Sequence, residues 1–152
     1  MDIRLDDLRH PEVIALLQEH HRVMREVSPP ESCHVLDLDG LRQPEIAFWS
    51  LWDDAALAGC GALKQLDAQH GEIKSMRTTP PYLRRGVGRM MLEHILAEAV
   101  RRGYTRLSLE TGAQPYFEPA RRLYAASGFT LCPPFASYRE DPHSVFMTKA
   151  LL

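Results

Sequence analysis

The run Ile73-Lys74-Ser75-Met76-Arg77-Thr78-Thr79-Pro80-Pro81-Tyr82-Leu83-Arg84-Arg85-Gly86-Val87-Gly88 constrains the chain more than any other segment. A strand-like stretch runs into a Pro-Pro break, and Gly-x-Gly then opens a long amphipathic segment. From Arg84 to Arg102 the apolar positions Val87, Met91, Leu92, Ile95, Leu96, Ala99 and Val100 keep a helical period over a wide stripe. Such a stripe packs on a sheet. The first N–H groups of a helix have no internal partners, and the helix dipole puts partial positive charge there. Glycines at that point let an anion approach the backbone. Arg84, Arg85 and Arg89 add full charges, so the segment suits a diphosphate. It is not a dinucleotide fingerprint, because G-x-G-x-x-G would need glycine where Met91 stands. The triphosphate loop G-x-x-x-x-G-K-[ST] is also absent.

The remaining elements fall around this one. Asp2 to Asp6 alternates as a short strand, and Pro11 opens a helix to about Val27 with Val13, Leu16, Leu17 and Met24 on its apolar stripe. Ser28-Pro29-Pro30 stops it. A second short helix is expected within Glu31 to Pro44. Ile46 to Trp52, Leu57 to Leu66 and Gly71 to Thr78 read as an antiparallel meander, with Gly59 and Gly61 marking a bulge or a close backbone approach. Gly103 caps the long helix. Tyr104 to Glu110 is a strand, Tyr116 to Ser127 a helix closed by Gly128, and Phe129 to Leu131 and Ser144 to Lys149 are the last strands. This order implies a mixed α/β sheet with helices packed on it.

Composition narrows the function. A chain of 152 residues with 45% apolar and 25% charged side chains suits one globular domain, residues 1–152. A net charge of -2 argues against a nucleic-acid binder. No apolar run approaches the ~18 residues of a membrane span, and the N-terminus lacks a signal-like apolar core. The three cysteines, Cys33, Cys60 and Cys132, include no C-x-x-C and read as free thiols, so a cytoplasmic location is expected. Seven histidines form no ligand spacing, His20 and His21 being adjacent, and no metal is expected. No G-x-S-x-G elbow occurs. Trp49 and Trp52 read as core residues.

The loop at 83–88 closely resembles the coenzyme A loop [RQ]-x-x-G-x-[GA] of the GNAT superfamily of N-acetyltransferases. It departs at the first position, where Leu83 replaces Arg or Gln. A second stretch, Ala120-Arg121-Arg122-Leu123-Tyr124-Ala125-Ala126-Ser127-Gly128-Phe129, looks like the superfamily's A-x-x-L-Y-x-x-x-G-F signature. It follows the loop with a strand between, as the superfamily requires. The resemblance covers residues 46 to 132 well and the ends loosely. It implies a mainly antiparallel sheet of about six or seven strands flanked by about four helices, with a central parallel pair splayed at the cofactor site.

The resemblance also implies roles. Acetyl-CoA, the co-substrate, would lie between the strands at Ile73 to Thr78 and Tyr104 to Glu110. Backbone groups of Met76, Arg77 and Thr78 would hold its pantetheine arm, with the Met76 amide as oxyanion donor. Leu83, Arg84, Arg85, Gly86, Val87, Gly88 and Arg89 would hold the pyrophosphate. Tyr124 matches the tyrosine that protonates the departing thiolate. Glu72 is the expected base, placed by strand alternation on the face of Met76, with Glu110 and then His70 behind it. Acceptor selection falls to the N-terminal helices and the final loop, where Arg25 and Arg139 would clamp a carboxylate. The expected activity is transfer of acetyl to a primary amine of a small molecule, such as an amino acid or similar small acid, by direct attack. The alternatives are a catalytically silent CoA-binding sensor or interaction module, or a transferase for another acyl-CoA or acceptor. A homodimer is a further expectation from the superfamily.

Overall fold

The structure is a computed structural model that describes residues 1–34 and 36–151. Among them the chain forms seven strands: β1 Asp2–Leu5, β2 Ile46–Asp53, β3 Ala56–Gln65, β4 His70–Thr78, β5 Arg106–Gly112, β6 Thr130–Leu131 and β7 Ser144–Ala150. They form one sheet in the order β1-β2-β3-β4-β5-β7-β6. Strand pairing is antiparallel throughout except for β4 and β5, which run parallel. Four α-helices accompany it: α1 Pro11–Val27, α2 Leu38–Leu41, α3 Val87–Arg101 and α4 Glu118–Ala126. The expected mixed sheet with a parallel central pair is the one observed.

Two apolar cores lie on opposite faces. On one, Met91, Leu92, Ile95 and Ala99 of α3 pack with Leu63, Ile73, Leu107 and Leu109 of the sheet and with Tyr124 of α4. On the other, Val13, Leu16 and Leu17 of α1 pack with Phe48, Trp52, Leu57 and Ala62. Alternation along β2 splits its tryptophans between the two, Trp49 to the first and Trp52 to the second. The three cysteines are free. No helix among the described residues is long and apolar enough to cross a membrane.

Several element ends differ from the sequence reading, each for a local reason. The helix expected from Arg84 starts at Val87, because Arg84 (φ 61°) and Gly86 (φ 79°) adopt left-handed backbone that no α-helix contains. The strand expected from Tyr104 to Glu110 starts at Arg106 and runs to Gly112, carried on by its pairing with β7. The helix expected from Tyr116 starts at Glu118, after a single 3-10 turn at Pro115–Phe117. The short helix expected within Glu31 to Pro44 is the single turn of α2, which Asp37 caps by accepting a hydrogen bond from the Gly40 amide.

The difference with most consequence lies inside β4. Ser75 has φ 55°, and the register against β3 slips between Cys60 and Ala62, which face Arg77 and Lys74. One extra residue is inserted on β4, a β-bulge, and it inverts the alternation beyond it. Ile73 and Met76 therefore share the α3 face. Glu72 and Met76 lie on opposite faces, contrary to the alternation counted from sequence. The bulge carbonyl of Ser75 accepts the Cys60 thiol at 3.3 Å.

Candidate active site

β4 pairs with β5 only from His70 to Ile73, opposite Arg106 to Leu109. Past the bulge, β4 keeps β3 as its neighbour while β5 keeps β7, and the two parallel strands separate. The edge of β4 from Lys74 to Thr78 thus turns backbone groups with no strand partner toward the gap. A buried backbone group without a partner is costly, so such an edge is stable only where a ligand or water completes it. The gap opens into a cleft of about 640 Å³ that runs from the start of α3 to the end of α1.

At one end the cleft meets the first turn of α3. No side chain caps it. Gly86 is required by its positive φ, since a Cβ there would meet nothing within 4 Å. Gly88 sits close to α4, since a Cβ there would come 3.2 Å from Leu123 Cδ2, a tight contact that this side chain would have to yield to. Uncapped amides, the dipole, and Arg84 and Arg89 on the wall make this end an anion site. Arg85 is not on the wall. Its guanidinium stacks 4.7 Å over the Tyr82 ring, and the Tyr82 hydroxyl donates to Asp53 at 2.8 Å. Leu83, exposed, lines the cleft with Val87, Met76, Arg77 and Thr78.

In the middle, Tyr124 of α4 and Glu110 of β5 line the same cleft. Tyr124 is 6% exposed. Burial, and then the charge of Glu110, holds its phenol well above the usual range, so it stays protonated. Burial pushes the Glu110 carboxyl up to about 7, with the neighbouring charges of Glu72 and Asp141 adding to it and Ser144 and Lys74 opposing. Glu72 has a different environment. At 2% exposure it accepts a hydrogen bond from the Tyr138 hydroxyl at 2.6 Å and pairs with Lys74 at 3.2 Å, while Lys74 also donates to Tyr138 at 3.0 Å. The three form a closed buried network. His70, the third candidate base, is tied to Ser108 at 2.7 Å, and burial lowers its pKa.

The far end is walled by His20 and Met24 of α1, by Ser28 at its C-cap, and by Ser32 to His34 and Leu36. Two bonds hold these walls together: Ser32 Oγ donates to Asp141, and Gln114 Nε2 donates to the Val27 carbonyl at 2.9 Å. Arg25 and Arg139, the expected carboxylate clamp, are both exposed, and neither is among the residues lining the cleft. The sequence reading did not single out the side chains of Arg77, Lys74 and Tyr116. The slip at Gly59 and Gly61 was the available signal, because a bulge there re-aims every β4 side chain that follows.

The comparisons with known proteins agree with this geometry. The chain matches the Acetyltransferase (GNAT) family over residues 11–129. It is 59% identical to the N-acetyltransferase YsnE of Bacillus subtilis, over 99% of this chain and 100% of that protein. It is 37% identical to the IAA acetyltransferase of Azospirillum brasilense, over 91% of this chain and 90% of that protein. An acyl-CoA N-acyltransferase structure from Klebsiella pneumoniae superposes with a TM-score of 0.80 at 26% identity, covering 99% of this chain and 97% of that one. The uncapped helix, the splayed strand pair and the tyrosine between them thus occur in a chain that belongs to the GNAT family of acetyltransferases.

Proposed function

We propose that the protein transfers the acetyl group of acetyl-CoA to the primary amine of a small molecule by direct attack of the amine on the thioester. The observation that carries this reading is the open edge of β4 from Lys74 to Thr78, which leads from the uncapped start of α3 to Tyr124 and Glu110. Acetyl-CoA supplies an activated acyl group. The first turn of α3, with Arg84 and Arg89, holds its pyrophosphate, and the free edge of β4 hydrogen-bonds its amide-bearing arm. The bulge presents the Met76 amide toward the gap as the donor for the thioester oxygen.

Proton transfers divide by environment. Tyr124 keeps its proton until charge develops on the departing thiolate in the same cleft, and then donates it. Glu110, with a pKa of about 7, is half ionised at neutral pH and accepts a proton from the acceptor's ammonium group, which frees the neutral amine that attacks. Glu72, expected as the base, is occupied by Lys74 and Tyr138, and in this reading it positions the acceptor wall instead.

The test is thiol release from acetyl-CoA with a panel of amino acids, polyamines, aminoglycosides and amine-bearing peptides. IAA belongs in the panel because the Azospirillum relative is named for it. Release above background hydrolysis with one class supports the reading; acetyl-CoA binding with no release for any class counts against it. Tyr124→Phe lowers turnover about 10²-fold or more and leaves acetyl-CoA affinity nearly unchanged. Full turnover in that variant would remove Tyr124 as the acid.

A further inference from the structure

Arg77 lies beyond the bulge of β4, and the inverted alternation sends its side chain to the α1 face of the sheet, where it lines the cleft. Its Nη1 donates to the Tyr116 hydroxyl at 2.7 Å, and its Nε is buried without a partner. Among the described residues it makes no ion pair, whereas Lys74 pairs with Glu72; the exposed Glu19 bonds to Arg22 and feels Arg77 only as a weaker, unpaired charge. A half-buried guanidinium with no counter-ion, on the wall of a cleft, is costly unless an anion arrives there. His20 stands on the same wall. It is 8% exposed, and its Nδ1 has no hydrogen-bond partner. In the tautomer that carries the proton at Nδ1, a neutral imidazole donates one hydrogen bond. Burial, with the charges of Arg77 and His21 adding, holds the ring at about 4, so it is neutral near pH 7.

We propose that Arg77 and His20 form a subsite for a carboxylate of the acceptor, so that the molecules acetylated are amines that also carry a carboxylate, amino acids among them. The inference rests on the acyl-transfer reading above for the fate of the amine, but the subsite itself is a binding site and can be tested without turnover. The charges fit this class. A cation waits at Arg77 and a carboxyl at Glu110, both in one cleft, and a zwitterionic acceptor presents the opposite charge to each. The guanidinium fork suits a planar carboxylate. The role moves from Arg25 and Arg139, which lie off the cleft, to a residue whose side chain only the bulge brings into it.

The experiment compares matched pairs of acceptors, each amine as its free carboxylate and as its carboxamide, with kcat/KM expressed per unprotonated amine. The wild-type protein favours the carboxylate by about tenfold or more, and Arg77→Gln collapses that ratio toward one. Arg77→Lys, which keeps the charge without the fork, retains part of it. In parallel, N-acetylamino acids added to the protein with CoA raise the melting temperature of the wild type, their amides do so less, and Arg77→Gln loses the difference. Equal use of acid and amide by the wild type, or a preference that survives Arg77→Gln, overturns the subsite. If no amine is acetylated but N-acetylated carboxylates still stabilise the wild type and not Arg77→Gln, acyl transfer fails as the reading and the carboxylate subsite stands.

Discussion

Half-buried Glu110 and buried His20 both resist ionising, and their signs make them separable. Glu110 titrates near 7 in the folded chain against an ordinary 4.5. As pH rises from about 4.5 to about 7, the unfolded chain gives up that proton while the folded one keeps it, so stability falls through this window and levels above it. Glu110→Gln mimics the protonated form. Its melting temperature therefore gains on the wild type between pH 5 and pH 8, by on the order of 2–3 kcal/mol in stability. The same variant loses the acidic limb near pH 7 from the pH profile of kcat/KM. A limb that persists would assign the base elsewhere. His20 runs the other way, near 4 when folded against an ordinary 6.5. As pH falls from about 6.5 to about 4, the unfolded chain takes a proton that the folded one refuses, and stability declines. His20→Asn gains on the wild type over that acidic window in thermal unfolding, and no gain there would mean that the imidazole is freely hydrated. Neither shift was legible in the sequence. Both come from burial that depends on which wall each residue faces, and motif spacing carries no such information.

At the scale of the element, sequence and structure agree where periodicity is long and diverge at the ends. The stripe of α3 and the bounds of α1 follow from apolar spacing and from Pro11 and the Ser28-Pro29-Pro30 stop. The start of α3 was misplaced because arginine propensity says nothing of a positive φ at Arg84. The bulge in β4 was hinted at only on its neighbour. Gly59 is glycine because a Cβ there would come 2.8 Å from the Arg77 carbonyl oxygen and 2.9 Å from Val87 Cγ1. Gly59→Ala must push the cofactor-facing stretch of β4 away from β3. We expect a loss of about 1–3 kcal/mol in thermal or denaturant unfolding. Weaker acetyl-CoA binding by calorimetry accompanies it, and wild-type affinity would show that the stretch yields without cost.

For the whole molecule, the arrangement of layers was readable because two glycine-punctuated motifs, 83–88 and 120–129, fix the strand between them and the helices on either side. The acceptor end was not readable. It is walled by α1 and by residues from 28–34 and Leu36, and the 133–143 loop, distant in sequence, is tied to this wall by the bond from Ser32 to Asp141. The cleft runs between the two helical layers, so a ligand filling it ties both to the sheet. Acetyl-CoA at about 100 times its Kd adds about 2.7 kcal/mol of stability. For a chain of this size that is a rise of roughly 5–10 °C in melting temperature, read by a dye-based or calorimetric scan. No rise at saturation would contradict binding to the folded state.

Ser75 gives the strand an odd step where an even one was due. Its hydroxyl has no hydrogen-bond partner among the described residues and its carbonyl accepts a thiol, so what it contributes is parity rather than chemistry. Pair the same residues without that extra step and every later side chain of β4 changes sides: Arg77 exchanges its place in the cleft for one in the α3 core, and Met76 does the reverse. Deleting Ser75 would instead keep the later frame, because Lys74, Met76 and Arg77 would then oppose Ala62, Gly61 and Cys60 one to one. Two strands of the same sequence, one bulged at this point and one regular, would share a fold and part company over which molecule each could hold.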